Sequence, residues 1–307
     1  MHSSYLAFLP ADLRPDPALR PDRTWWEWGD HRVHIERIVR ADAPVRILLV
    51  HGAGGHAGAV WPFAALAAGQ DFEVVVPDLP GYGRTRVPTR RGIRYPDWVD
   101  CLTGLVRTEH AADPRPLVLL GASMGGMLAY EAAARTGLAA AVVATCLIDP
   151  RSPQVRSAIA RHPWLGRYGT RLLFPAVDDL RVPIRWMANM QAMSGNWALS
   201  RLVSTDPLGG GVRMPLGFLR TYLTSVPHVE PEDFTTCPVW LVHPGADTWT
   251  PLSLSELFFE RIAAPKKLTV LAGAGHYPIE SPGIHQLTRA LAELRAEITA
   301  RGAGSRS

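Results

Sequence analysis

The stretch Pro116–Gly126, PLVLLGASMGG, decides how the rest of the chain is read. Four apolar residues, Leu117–Leu120, run directly into Gly121-Ala122-Ser123-Met124-Gly125, and a helical pattern starts at Gly126 and continues to about Arg135. A strand, a tight turn with Ser at its centre and a helix form the context of a nucleophile elbow. Such a turn strains the backbone at Ser123 and crowds its neighbours. Only small residues fit at the flanking positions, and Gly121 and Gly125 supply them. The Ser123 hydroxyl then stands above the sheet and faces the same space as the backbone N–H of Met124. In a chain with 27 Gly the motif alone is a weak signal, and its place after an apolar strand gives it weight.

Outward from the elbow the same alternation repeats. Val45–Val50 is an apolar strand that runs into His51-Gly52-Ala53-Gly54-Gly55, and a helical stretch continues to about Ala68. Glu73–Val76 is a strand ending at Pro77-Asp78, and a helix spans about 97–111. Ala139–Ile148 is the next strand, with Cys146 inside it as a small hydrophobe. After Asp149-Pro150 the rhythm breaks, and residues 151–236 carry helix-like pieces separated by Pro and Gly, with no clear strand. It resumes with Val239–Val242, a helix near 252–263, a strand at Leu268–Leu271 and a last helix near 284–299. This alternation implies an α/β fold with a mostly parallel, doubly wound sheet. Ahead of it, Trp25–Trp28, Gly29-Asp30 and Arg32–Val39 read as an N-terminal hairpin. Residues 1–22, with Pro10, Pro15, Pro17 and Pro21, read as an arm without regular structure. The expected organisation is an arm (1–22), one body made of 23–150 and 237–307, and a helical cap inserted at 151–236.

The totals exclude several classes. A chain of 307 residues with 47% hydrophobic content can bury a sizeable core. No apolar run approaches the length of a membrane span. The N-terminus lacks the basic start and long apolar segment of a signal peptide. Cys101, Cys146 and Cys237 are odd in number and far apart, forming neither a zinc pattern nor a disulfide framework, which points to a reducing cytoplasm. His31 and His34 have no third ligand cluster beside them, so no metal is expected. The net charge of +4 comes with 30 Arg and 2 Lys, but no basic run has interleaved aromatics, and no nucleic-acid partner is expected.

A Ser hydroxyl is a poor nucleophile near neutral pH and needs a base, an orienting acid and donors for the oxyanion. Downstream of the elbow each part comes just after a strand. Val239–Val242 leads into His243-Pro244-Gly245-Ala246-Asp247, and Leu268–Leu271 into Ala272-Gly273-Ala274-Gly275-His276. In an open parallel sheet, ligands bind outside the carboxyl ends of the strands, so Asp247 and His276 project to the edge that carries Ser123. Asp149 also comes after a strand and is the alternative acid, although Asp247 sits in a Gly-x-Asp turn ahead of a Pro-capped helix. The loop His51–Gly55 permits two readings. Gly52-x-Gly54-x-x-Ala57 after a strand, with Asp78 ending the next strand, is compatible with a dinucleotide fingerprint. That reading leaves the elbow, Asp247 and His276 without a role, and no cofactor is expected. Otherwise the same glycines let the N–H of Ala53 or Gly54 point at an oxyanion, with His51 shaping the loop.

Together HGAGG (51–55), DLPGYGRT (78–85), GASMGG (121–126), HPGAD (243–247) and GAGHYPIESP (273–282) resemble the α/β-hydrolase superfamily, and specifically its serine hydrolases with a helical cap. The order Ser…Asp…His is that of the superfamily. Ser at the elbow argues against epoxide hydrolases and haloalkane dehalogenases, which carry Asp there. DPLGGG (206–211) and the C-terminal motifs are most similar to monoacylglycerol lipases and lysophospholipase-like esterases. The resemblance implies Ser123, Asp247 and His276 as catalytic triad, Ala53 and Met124 N–H groups as oxyanion hole, no cofactor, and cleavage of a carboxylic ester. A thioesterase or a carbon–carbon bond hydrolase would use the same triad, and a non-catalytic ligand-binding homologue would keep the fold alone.

Residues 151–236 carry ten Arg and no Lys against six acids, an excess that equals the net charge of the whole chain. The excess is compatible with a plain solvated face or with peripheral contact to an anionic lipid surface. Met187, Met190 and Met193, close to Trp186 and Trp197, recur at three-residue spacing and would form one stripe on a helix. Such a stripe packs the cap on the body or lines a pliable acyl pocket. With His51, Gly52 and Gly54, the residues Trp186, Met187, Met190 and Met193 are the expected substrate pocket, for an ester of a lipophilic acid.

Overall fold

A computed structural model describes residues 2–162 and 173–304. Part of the expected cap, 163–172, together with Met1 and 305–307, lies outside the described residues. The main strands are β1 (Asp22–Trp28), β2 (His31–Ile38), β3 (Val45–Val50), β4 (Phe72–Pro77), β5 (Leu117–Gly121), β6 (Ala139–Ala144), β9 (Val239–Pro244) and β10 (Lys266–Leu271). Two shorter strands, β7 (Arg181–Pro183) and β8 (Arg213–Pro215), pair with each other apart from them. The eight main strands form one sheet in the order β1-β2-β4-β3-β5-β6-β9-β10. β1 and β2 form the hairpin, β2 joins β4 antiparallel, and every pairing from β4 to β10 is parallel.

The central strands are buried on both faces, which is why they read as continuous apolar runs. Alternate side chains enter opposite cores. Leu48, Val50, Leu117, Leu119, Val142 and Leu241 meet α3 (Tyr95–Ala112) and α4 (Met124–Thr136) on one face. Ile47, Leu49, Val118, Leu120, Val143 and Val242 meet α2 (Ala57–Ala68) and the C-terminal helix Gly283–Gly304 on the other. From β3 the chain first forms β4 on one side and then crosses to β5 on the other. The carboxyl ends of β3 and β5 therefore flank the topological switch, where open α/β sheets bind ligands.

Several sequence expectations are corrected. The N-terminal arm is not irregular throughout, because α1 (His2–Leu6) and a 3-10 turn (Ala11–Leu13) form there. A five-residue helix is too short to stand alone; Tyr5 and Leu9 are buried in the core around α2 and hold it. The strand after the elbow helix ends at Ala144, not Ile148: the bond from Thr145 N to Gly121 O is the last of its ladder with β5, which itself ends at Gly121. Cys146 thus lies beyond the strand, although it is buried. Residues 151–236 do contain strands, since β7 and β8 pair antiparallel with Val182 opposite Met214. The methionines do not share one helix. The helix Ile184–Met187 stops where Ala188 bridges to Ala160, at the end of α5 (Pro153–Ile159), and a 3-10 turn restarts at Met190.

Candidate active site

The loop after β5 turns so sharply that Ser123 adopts φ 55°, ψ −127°, in the left-handed region that a side-chain-bearing residue rarely occupies. The turn depends on its glycines: a Cβ on Gly121 would overlap the Gly125 carbonyl, and one on Gly125 the Val50 carbonyl. Ser123 N donates to Thr145 Oγ1 at 2.9 Å, which pins the elbow to the end of β6. Met124 begins α4, so its N–H has no intrahelical acceptor. The loop after β3 packs on the elbow, where a Cβ on Gly52 would stand 3.1 Å from Met124 N and 3.1 Å from Ser123 Cβ.

His276 Nε2 lies 2.9 Å from Ser123 Oγ, and His276 Nδ1 lies 2.7 Å from Asp247 Oδ2. The carboxylate only accepts, so Nδ1 carries the proton and Nε2 is left to accept from the Ser123 hydroxyl. Asp247 is fixed in turn. Trp249 N and Thr250 N donate to its Oδ1 at 2.8 and 2.9 Å, and Thr250 Oγ1 donates to its Oδ2 at 2.8 Å. Burial pushes the Asp247 carboxyl up, but the His276 ring and the Thr250 donors outweigh it and hold the group below the usual carboxylate range. The arrangement can carry a proton from Ser123 to an imidazole whose tautomer is fixed by a buried anion.

The profile of the Alpha/beta hydrolase family matches residues 47–284. The chain belongs to the alpha/beta hydrolase family. Mouse protein phosphatase methylesterase 1 is 32% identical over 156 residues, 45% of this chain and 40% of that protein. Phospholipase YtpA of Bacillus subtilis (strain 168) is 30% identical over 131 residues, 41% of this chain and 44% of that protein. The chain thus spans less than half the length of these curated relatives. A soluble variant of monoglyceride lipase from Saccharomyces cerevisiae, in complex with a substrate analog, superposes with TM-score 0.73 at 15% identity, covering 92% of this chain and 96% of that one. Paleococcus ferrophilus monoacylglycerol lipase superposes with TM-score 0.66 at 20% identity, covering 91% of this chain and all of that one. At these identities the likeness of the solved structures shows the fold.

In this alpha/beta hydrolase a cavity of about 330 Å³ reaches Ser123, with Ala53 and Met124 in its lining. The rest of its wall is largely apolar and includes Met190, Met214, Phe218 and Trp249. Of the residues expected in the pocket, Met190 lines it. Trp186 does not, being 55% exposed, and neither does Trp197, at 71%. Met193 packs against the core around α2 instead, and the side chain of Met187 lies outside the described residues. Gly52 and Gly54 shape the loop from behind. Gly54 in particular leaves room for the Met190 Cε and for Gly210, and a Cβ on it would lie 2.9 Å from that Cε.

His51 is fully buried and is not a pocket residue. Its Nδ1 lies 2.8 Å from Gly52 O and its Nε2 accepts from Leu79 N at 3.0 Å, which requires the neutral ring. Burial, only partly offset by the Gly52 carbonyl, takes its pKa down to about 4. Asp78, the acid that the dinucleotide reading would set on a ribose, is buried. Both its oxygens are occupied, by Ala57 N at 2.7 Å on one and by His34 Nδ1 and Arg84 N at 2.8 Å on the other. Asp149 is held by Arg151 at 2.7 Å and makes no hydrogen bond to His276, whose ring nitrogens meet Asp247, Thr250 and Ser123.

Sequence reasoning missed three supports of the site. Thr145 and Thr250 left a readable trace only in the second case, since Asp247-x-x-Thr250 is the spacing of a turn in which an Asp side chain caps the next N–H groups. The third is Asp206, which takes bonds from Tyr5 (2.7 Å) and His56 Nε2 (3.0 Å) while His56 Nδ1 caps α2. This network seats the segment Asp206–Gly211 on the loop after β3, with Gly209 directly against the Gly54 carbonyl.

Proposed function

We propose that this hydrolase cleaves carboxylic esters of lipophilic acyl groups through a covalent acyl-enzyme. Ser123 Oγ attacks the ester carbonyl while His276 Nε2 takes its proton, and Asp247 holds the imidazole and stabilises the imidazolium. The N–H groups of Ala53 and Met124 stabilise the oxyanion. His276 then protonates the departing alcohol, and a water molecule activated by the same ring releases the acid. Residues 151–236 act as a cap over the site, and the chemistry uses no metal or cofactor.

The observation that carries this reading is the unbroken hydrogen-bonded line from Ser123 through His276 to Asp247 at the end of an apolar cavity. The names of the relatives, a methylesterase and a phospholipase, support ester cleavage. Exposed Trp186 and Trp197, with the arginine excess of 151–236, support peripheral contact with an anionic lipid surface. Three unpaired, buried cysteines are compatible with a reducing, cytoplasmic location. The test is turnover of p-nitrophenyl esters and matched thioesters from acetyl to decanoyl. Turnover of the esters supports the reading, and turnover of none of them overturns it.

A further inference from the structure

Among the described residues lining the cavity that reaches Ser123, Arg156 is the one that carries a charge. It belongs to α5 and shares the lining with Ile148, Ile159 and Trp249, and the Trp249 ring lies tilted against the His276 ring at 4.7 Å between centroids. Two other half-buried arginines of 151–236 are neutralised, Arg151 by Asp149 and Glu230 and Arg220 by Asp178, whereas Arg181, also without a carboxylate partner among the described residues, is not in the lining of this cavity. Arg156 has no carboxylate within ion-pair distance among the described residues. The residues outside the described set contain no Asp or Glu, so no acidic side chain there can supply one. Tyr222 lines the same cavity, and its buried hydroxyl has no hydrogen-bond partner among the described residues.

Arg156 is half-buried, lines a largely apolar cavity and lacks a carboxylate partner among the described residues, and the planar fork of a guanidinium suits a carboxylate. We infer that Arg156 is a specificity-determining residue that binds a carboxylate on the substrate, so that the preferred esters are amphiphilic anions and not neutral lipids. The inference rests on the proposed reading of the site for its position next to the reacting ester. The carboxylate belongs either to the far end of the acyl chain or to the alcohol.

Three esters of similar size separate these cases: methyl octanoate, monomethyl octanedioate with the charge on the acyl tail, and carboxymethyl octanoate with the charge on the alcohol. For the wild-type chain one charged ester should exceed methyl octanoate at least about tenfold in kcat/KM, and which one it is assigns the end that Arg156 holds. Arg156→Met should abolish or invert that ratio, and Arg156→Lys should restore it in part. A ratio unchanged by Arg156→Met, or no preference in the wild type, overturns the inference. So does a fall of all three esters together, which would make Arg156 a wall residue only. Binding of monomethyl octanedioate and of carboxymethyl octanoate to Ser123→Ala, with and without Arg156→Met, is read by calorimetry and needs no turnover. No turnover of any of the three esters by the wild-type chain, with Arg156-dependent binding of either charged ester to Ser123→Ala, would overturn the hydrolase reading and keep the anion site. Arg156-independent binding of both would remove the anion site.

Discussion

His276 Nε2 meets Ser123 Oγ at 2.9 Å across 153 residues of sequence. Neither residue is brought there by local structure alone. Ser123 is lifted by the strained turn after β5 and His276 by the loop after β10, and the parallel sheet sets both loops on one edge. On its other side the His276 ring meets Asp247, with Nδ1 2.7 Å from Oδ2.

Replacing Asp247 by Asn removes the acceptor that fixes the His276 tautomer, and should lower kcat by about 10³–10⁴ with the fold intact. Asp149→Asn loses a pair with Arg151 and no bond to the imidazole, and should lower kcat less than tenfold. Steady-state kinetics of the two variants side by side checks the order, and the reverse order would move the acid to the loop after β6.

The Asp206 carboxyl gives a pH signature of the joint between α1, α2 and the segment 206–211. Burial raises its pKa, but His56, Leu208 N and Tyr5 outweigh burial and bring it down to about 2 from 3.8. A depressed carboxyl binds its proton more weakly in the fold than in the unfolded chain. Its stabilisation is therefore fully present above about pH 4 and is lost as pH falls toward 2, a difference of about 2 kcal/mol. Thermal unfolding of wild type and Asp206→Asn across pH 2–7 should show the gap between them narrowing through that window. A gap independent of pH would contradict the role of the ionised group.

Acyl length should govern neutral esters through the cavity wall. Each buried methylene is worth about 0.8 kcal/mol, so kcat/KM should rise by up to about fourfold per carbon from acetyl to at least octanoyl. Met190→Ala enlarges the wall where it meets Gly54 and should flatten that rise more than it lowers acetyl turnover. A preference of the wild type for acetyl over octanoyl would leave a small-ester hydrolase.

Much of this site is legible in the sequence because its main parts sit at strand ends. A parallel strand buried on both faces is a continuous apolar run, so β3, β5 and β9 announce themselves, and the residues just past them are candidates by position. Ser123 and Asp247, each a few residues beyond such a run, can be found that way. Residues 151–236 obey no such rule. Their elements are short and held by contacts with distant segments, as when Val182 pairs with Met214 or Ala160 bridges to Ala188. Three-residue spacing of Met187, Met190 and Met193 suggested one helical face, but spacing carries that meaning only if the helix continues, and it stops at Met187. The short helix of the arm escaped for the same reason. Tyr5 is ordered by Asp206, about two hundred residues away, and no local pattern records that bond.

The central claim is that Ser123 is the nucleophile of a covalent ester hydrolysis. Incubation with a fluorophosphonate, then intact-protein and peptide mass spectrometry, measures it directly. The wild-type chain should take up one adduct, located on Ser123, and lose ester turnover in proportion. Ser123→Ala should take up none, keep its thermal unfolding midpoint, and turn over esters about six orders of magnitude more slowly. An adduct on another residue, or Ser123→Ala activity within tenfold of wild type, would contradict it.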